Sequence, residues 1–285
     1  MSPIQQPIGV FDSGIGGLSV LQALRAELPH ERFVYLADTA HAPYGERGGA
    51  FVAARSHAIA AHLVAQHAIK ALVVACNTAT AAAIDEIRAR YPALPLIGVE
   101  PALKPAAALS RTGRIGVMGT RGTLHSAKFG RLLASLQSQA QFIVQPCDGL
   151  AHAIERSTVW ALAGTASASE TRALCASYTR AMGRFGTQTG DIDTLVLGCT
   201  HYVFAQDELR DLLGPEVRLI ATGEPVARQT RRLLHAANAL ALAQGAQPTP
   251  WPLLLTTGPL AQLQSAAARW LQLPQECCRV ALVDA

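Results

Sequence analysis

The chain uses one short design twice. In residues 71–82, ALVVACNTATAA, and again in residues 194–205, TLVLGCTHYVFA, an apolar strand runs into a thiol and then into small or hydroxyl residues that open a helix. A second pair echoes it: Ile8-Gly9-Val10-Phe11 precedes Asp12-Ser13, and Ile115-Gly116-Val117-Met118 precedes Gly119-Thr120. Strand–turn–helix units in series build parallel sheets, because a parallel neighbour is reached only over a long crossover, usually a helix. Two sets of such units imply an α/β fold of two pseudo-symmetric, doubly wound parallel-sheet domains facing each other across a cleft. Each half then presents one cysteine, Cys76 or Cys199, at a strand's C-terminal end. In open α/β sheets that edge is where ligands bind.

The rest of the chain alternates in the same way. Strands are expected at Ile8–Phe11, Phe33–Ala37, Ala71–Ala75 and Pro95–Val99, with helices at Leu18–Leu28, Phe51–His67 and Thr78–Arg90 between them. Glu100-Pro101 marks a domain boundary. Beyond it, strands at Arg114–Met118 and Phe142–Val144 flank a helix from Leu124 to Leu136. Strands at Thr194–Gly198 and Val217–Ala221 close the second half. Residues 157–192, rich in small and hydroxyl residues, read as a helix over Ala168–Met182 followed by a flexible surface loop, GRFGTQTGD. The tail reads as a helix from Pro225 to Leu242, a loop over 243–250, a strand Leu253–Thr256, a helix Pro259–Leu271 and a strand Arg279–Val283. These assignments give a first domain of residues 1–100 plus 221–285 and a second of residues 101–220.

With 285 residues, half of them apolar, the chain can bury a substantial core. A net charge of +4 without a dense Lys/Arg block makes a nucleic-acid partner unexpected. No apolar run reaches membrane-spanning length, and the leader lacks a basic segment followed by an apolar one. Six widely spaced cysteines do not form a disulfide framework, so reduced thiols in the cytoplasm are expected.

Two thiols on opposite walls of a cleft suit the removal of a proton from one face of a carbon and its return to the other. At a helix N-terminus the field favours the thiolate, the form a base needs; a buried structural cysteine is the alternative for Cys76. His201 lies two residues from Cys199 and could exchange a proton with it, sit in the core on a backbone carbonyl, or share a zinc ion with the thiol. No CxxC or HExxH spacing favours zinc. In Asp12-Ser13-Gly14-Ile15-Gly16-Gly17 the glycines allow a backbone to approach a ligand closely, and Asp12 could assist the Cys76 side or cap the next helix. Asp38, with Pro43-Tyr44-Gly45, forms a loop that could close over a small substrate or be a plain turn. Thr120 and Thr123 could bind a carboxylate or cap the helix that follows, and Glu155 could line the cleft or face solvent. None of the three lysines, Lys70, Lys104 and Lys128, has the setting of a Schiff-base residue.

Together, FDSGIGGLSV, YLADTAHAPYG, ACNTATA, GTRGTLHS and LGCTHY resemble the glutamate racemases, in that family's order, with a further likeness at Thr256-Thr257-Gly258. The resemblance implies cofactor-independent interconversion of L- and D-glutamate in a cleft between two α/β domains, supplying D-glutamate for peptidoglycan. Aspartate racemase or another racemase of the superfamily, and a binding protein without turnover, are the competing readings. The resemblance carries over Cys76 and Cys199 as the two bases, with Cys199 acting on L-glutamate and Cys76 on D-glutamate. Asp12 would support Cys76, and His201 would support Cys199; Asp38 and Glu155 would be further acidic site residues. Substrate contacts carry over to Asp12, Ser13, Tyr44, Gly45, Asn77, Thr78, Thr120, Thr123, Thr200 and His201. A homodimer is implied as well. The chain departs from the family in His41 before the PYG segment, in Val203-Phe204 after GCTHY, in the length of the 157–192 region and in ATGEPVAR.

Overall fold

The computed structural model describes residues 3–160, 166–241 and 251–285. The first half runs β1 (Ile8–Asp12), α1 (Leu18–Glu27), β2 (Phe33–Ala37), α2 (Gly49–His67), β3 (Ala71–Val74), α3 (Asn77–Arg90) and β4 (Leu96–Gly98). The chain continues through α4 (Leu103–Leu109), β5 (Arg114–Gly119), α5 (Arg121–Leu124), α6 (Ala127–Ala134), β6 (Gln141–Pro146), α7 (Leu150–Trp160) and α8 (Ala166–Met182). It ends with β7 (Thr194–Leu197), a 3-10 segment (Thr200–Ala205), α9 (Gln206–Leu213), β8 (Arg218–Ile220), α10 (Gly223–Ala236), β9 (Leu253–Thr256), α11 (Leu260–Trp270) and β10 (Val280–Leu282).

The strands form two wholly parallel sheets, one of six strands in the order β10-β9-β2-β1-β3-β4 and one of four in the order β6-β5-β7-β8. The central strands β1, β2, β3 and β7 are buried at every position. Sheets covered by helices on both faces need such continuous apolar runs. One face of the six-stranded sheet packs Val10, Tyr35 and Val73 against Leu21, Leu24 and Leu263. The other packs Phe11, Leu36 and Val74 against Ile59, Leu63 and Ile84. The smaller sheet likewise has a core on each face, one around Met118, Leu195 and Tyr202 and one around Ile115, Val117 and Val196.

Where the elements differ from expectation, local chemistry explains the difference. The single helix expected over Leu124–Leu136 is two, because Ser126 accepts a hydrogen bond from Phe129 N at 3.1 Å and starts a new helix. Helix α10 ends at Ala236 rather than Leu242, stopped where Asn238 turns into the left-handed region (φ 51°). Helices α4 and α7 were not anticipated. The loop GRFGTQTGD is drawn together by Asp191, which accepts from Arg184 Nε and Gln188 N. The loop expected over 243–250 lies outside the described residues. Among the described residues no helix is long and apolar enough to cross a membrane.

Candidate active site

The polar residues gather at the C-terminal edges of both sheets. Cys76 follows β3 and caps α3, its Sγ accepting from Ala79 N at 3.5 Å. It also lies 3.7 Å from Ser13 Oγ. Ser13 in turn donates to Asp12 Oδ1 at 3.0 Å, and Thr200 Oγ1 donates to Asp12 Oδ2 at 3.0 Å. Asp12 ends β1 of the larger sheet, whereas Thr200 follows β7 of the smaller one. A polar thread therefore runs from the Cys76 thiol across to the segment that begins at Cys199.

The Cys76 thiol is 6% exposed, and burial raises its pKa, with the charge of Asp12 adding to the effect. This corrects the expectation that the helix N-terminus favours the thiolate. Lost hydration outweighs the bonds from Ala79 and Ser13, so Cys76 rests as the neutral thiol. Burial likewise raises Asp12 above the usual carboxylate value, against the lowering effect of His201 and Thr200.

Cys199, 7% exposed, begins the 3-10 segment Thr200–Ala205 and lies with its Sγ 3.7 Å from His201 Nδ1. The other ring nitrogen, Nε2, is 2.8 Å from Glu155 Oε1, which also accepts from Ile15 N at 3.1 Å. Burial works against the charged imidazole, but the bonds to Cys199 and Glu155 prevail and raise His201 well above its ordinary pKa. Burial would raise Glu155, yet His201 and Ile15 N hold it below its ordinary value. Sulfur, imidazole ring and carboxylate thus form a continuous relay.

The glycine loop finds its explanation here. A Cβ on Gly14 would overlap Glu155 Oε1, and one on Gly16 would meet Thr200 Oγ1 at 2.6 Å and collide with His201 Nδ1. The loop was read as bare for a ligand. Its glycines let the first half close directly onto the relay of the second, and Tyr35 pins the loop by donating to Gly14 O at 2.7 Å.

A second contact between the halves is built from hydroxyls. Thr78 Oγ1, on α3, lies 3.0 Å from Thr120 Oγ1 and 3.3 Å from Thr123 Oγ1. Thr120 also caps α5 by accepting from Thr123 N, one of the two roles considered for it. Gly45 lies against Thr120, where a Cβ would come within 2.6 Å of its Cγ2. Next to Cys76, Asn77 is buried with neither its amide oxygen nor its amide nitrogen hydrogen-bonded. Buried amides seldom stay unpaired, so a water, an ion or a ligand group is expected to meet this one.

Asp38 stands apart from the thiols. Its carboxylate accepts from Arg55 (2.9 and 3.0 Å), Tyr44 (2.5 Å) and Thr257 (2.8 Å) and meets His41 Nδ1 at 2.9 Å. Burial would raise Asp38, but Arg55 and Tyr44 outweigh it and hold it low. Every lone pair is committed, so Asp38 anchors Tyr44 and the turn of Gly45 rather than offering a free base. Arg55, Thr257 and Tyr35 were not foreseen as contributors. Of the other cysteines, Cys147 and Cys175 are buried thiols whose pKa burial raises, that of Cys175 to about 12. Among the described residues no cluster of three His, Cys, Asp or Glu could hold a metal ion.

Residues 17–245 match the family model described as Asp/Glu/hydantoin racemase. The chain belongs to that racemase family. Among its relatives, a glutamate racemase of Ectopseudomonas mendocina is 50% identical over 249 residues, covering 87% of this chain and 89% of that protein. A glutamate racemase isoform from Bacillus anthracis has the same fold, with a TM-score of 0.82 at 30% identity over 98% of this chain and 97% of that one. The Francisella tularensis glutamate racemase, solved with D-glutamate, gives 0.79 at 25% identity over 99% and 98% of the two chains. The two parallel-sheet α/β domains of this racemase are those of its structural relatives.

Proposed function

We propose that the chain interconverts L- and D-glutamate without a cofactor, using Cys76 and Cys199 as paired acid and base, and that it supplies D-glutamate for peptidoglycan. The observation that carries this reading is that two buried thiols stand at equivalent strand ends of opposite sheets, linked by the thread from Cys76 through Ser13 and Asp12 to Thr200. The relatives named above favour glutamate over aspartate as the substrate.

In the L-to-D direction Cys199, as the thiolate left when its own proton passes to His201, takes the α-hydrogen as a proton, breaking Cα–H and forming S–H. Cys76 then gives its proton to the opposite face, breaking S–H and forming the new Cα–H bond, and ends as the thiolate. The resting thiol form of Cys76 suits it to that donation. His201, held by Glu155, steadies Cys199 through both steps. The α-hydrogen is very weakly acidic, so the developing carbanion needs oriented donors in a dry site. On this reading Ser13, Thr78, Thr120, Thr123, Thr200 and the unpaired Asn77 amide bind the substrate's charged groups, with Asp12 beside its ammonium. Tyr44 and Gly45 roof the site, and Asp38 positions them. The same reading divides the chain into residues 1–100 with 221–285 and residues 101–220. It also includes a homodimer working in the cytoplasm.

Purified protein without added cofactor should racemise L-glutamate, followed as the decay of its circular dichroism, and should leave L-aspartate unchanged. In deuterium oxide the label should enter product before substrate. Ser in place of Cys76 or Cys199 should reduce the rate by about a hundred- to ten-thousandfold, the scale on which a positioned acid or base contributes. Racemisation by either variant at the wild-type rate rejects the assignment; binding of L-glutamate without turnover rejects the enzyme itself.

A further inference from the structure

The relay Cys199–His201–Glu155 draws its residues from two elements, the 3-10 segment Thr200–Ala205 and helix α7. One side chain from a third element touches both. Trp270, in the last turn of α11, stacks on Phe204 with ring centroids 4.3 Å apart and planes 13° from parallel. Its Nε1–H points to Thr158 Oγ1 at 3.4 Å. Phe204 lies three residues beyond His201, and Thr158 lies three residues beyond Glu155. Residues three apart share a face of a helix, so Trp270 meets each element one turn past its relay residue.

The rest of α11 follows the same line. Gln262 Nε2 reaches Glu155 Oε2 at 3.4 Å, and Arg269 Nη1 reaches Ser157 O at 3.5 Å while its guanidinium covers the Trp270 ring at 4.4 Å. Thr158 donates its own hydroxyl proton to Ile154 O, adjacent to Glu155, at 3.1 Å. Helix α11 follows β9 of the six-stranded sheet, so the half that carries Cys76 braces the relay of Cys199. Among the described residues Cys76 has no counterpart to this brace. The residue five beyond Cys199 is Phe204, whereas the residue five beyond Cys76 is Ala81.

We infer that Trp270 is a positioning residue for the Cys199 half-reaction, holding the 3-10 segment and α7 in the register that keeps His201 on Glu155. The inference rests on the two-thiol racemisation proposed above. Trp270→Leu keeps apolar bulk but removes both the stack and the N–H. It should lower kcat/KM about tenfold in both directions, since the equilibrium between enantiomers cannot change.

Isotope effects make the role specific. With α-deuterated L-glutamate, whose hydrogen goes to Cys199, the isotope effect on kcat/KM should rise. With α-deuterated D-glutamate it should fall, because abstraction by Cys76 then precedes a slower step at Cys199. A general loss of folded enzyme moves neither value. Trp270→Phe keeps the stack and should recover to within about threefold of wild type. Isotope effects that stay fixed, move together or diverge in the opposite sense overturn the inference, as does a Trp270→Leu rate within twofold of wild type. If Trp270→Leu does not fold, Phe204→Leu, which removes the stack from its other side, is judged by the same divergence. Failure of the wild-type protein to racemise refutes the function itself, so the two failures are distinguishable.

Discussion

Glu155→Gln isolates the charge of the relay from its geometry. Oε1 of Glu155 accepts from His201 Nε2 and Ile15 N, and Oε2 accepts from Gln262. A glutamine oxygen in the Oε1 position keeps both of its donors, and its amino group can face the Gln262 amide turned to present oxygen. Every polar atom is then partnered and only the negative charge is lost. A hydrogen bond to a charged group contributes about 1.5–3 kcal/mol and a neutral one about 0.5–1.5. The difference, about 1–2 kcal/mol, corresponds to a five- to thirtyfold loss of kcat/KM if the relay acts in the transition state.

The same substitution should change stability with a defined pH dependence. His201 is raised in the folded protein, so its contribution is complete below its ordinary value of 6.5 and is lost as pH rises through the folded value. Glu155 is lowered, so its contribution is complete above its ordinary value of 4.5 and is lost as pH falls through the folded value. The melting temperatures of wild type and variant should therefore differ most between pH 4.5 and 6.5 and converge on either side. Thermal melts across pH, paired with the dichroism assay, read both effects. A variant equal to wild type in kcat/KM, or a stability gap that grows outside that window, refutes the reasoning.

Gly14→Ala places a methyl on Glu155 Oε1 and should destabilise the protein by about 1–3 kcal/mol in chemical denaturation, with a larger loss of activity than Gly48→Ala, where nothing lies within 4 Å. Tyr44→Phe removes the bond to Asp38 and should raise KM for glutamate several-fold with a smaller change in kcat, measured by initial rates. Glu46 accepts from Gly149 N at 2.9 Å, tying the turn beside Gly45 to the start of α7. Glu46→Ala should raise KM about fivefold, on the order of 1 kcal/mol for an exposed charged bond, and Glu46→Gln should restore most of it.

The two sheets could be read from the chain because each central strand is buried on both faces. Runs such as Leu72-Val73-Val74 and Leu195-Val196-Leu197 have no other stable use next to crossover helices. The thiols were legible for the same reason, since each ends such a run. What the glycines of the first loop do was not legible: their constraint is a carboxylate 141 residues further on, brought there only by tertiary packing. Nothing in the sequence singled out Arg55 on α2, yet it neutralises Asp38. The break between α5 and α6 was present as Ser126 but was outweighed by the apolar spacing that continues beyond it.

The unequal flanks of the two sulfurs have a consequence for how such a catalyst can vary. Substrate and product differ only in handedness and have the same energy in water, so no thermodynamic rule requires mirror-matched machinery. A ring-and-carboxylate prop on one flank and a hydroxyl with a backbone amide on the other can be tuned independently, provided the forward and reverse efficiencies stay locked together. Small electrophiles shaped to the enzyme should therefore discriminate between its two nucleophiles, although the reaction itself treats left and right alike.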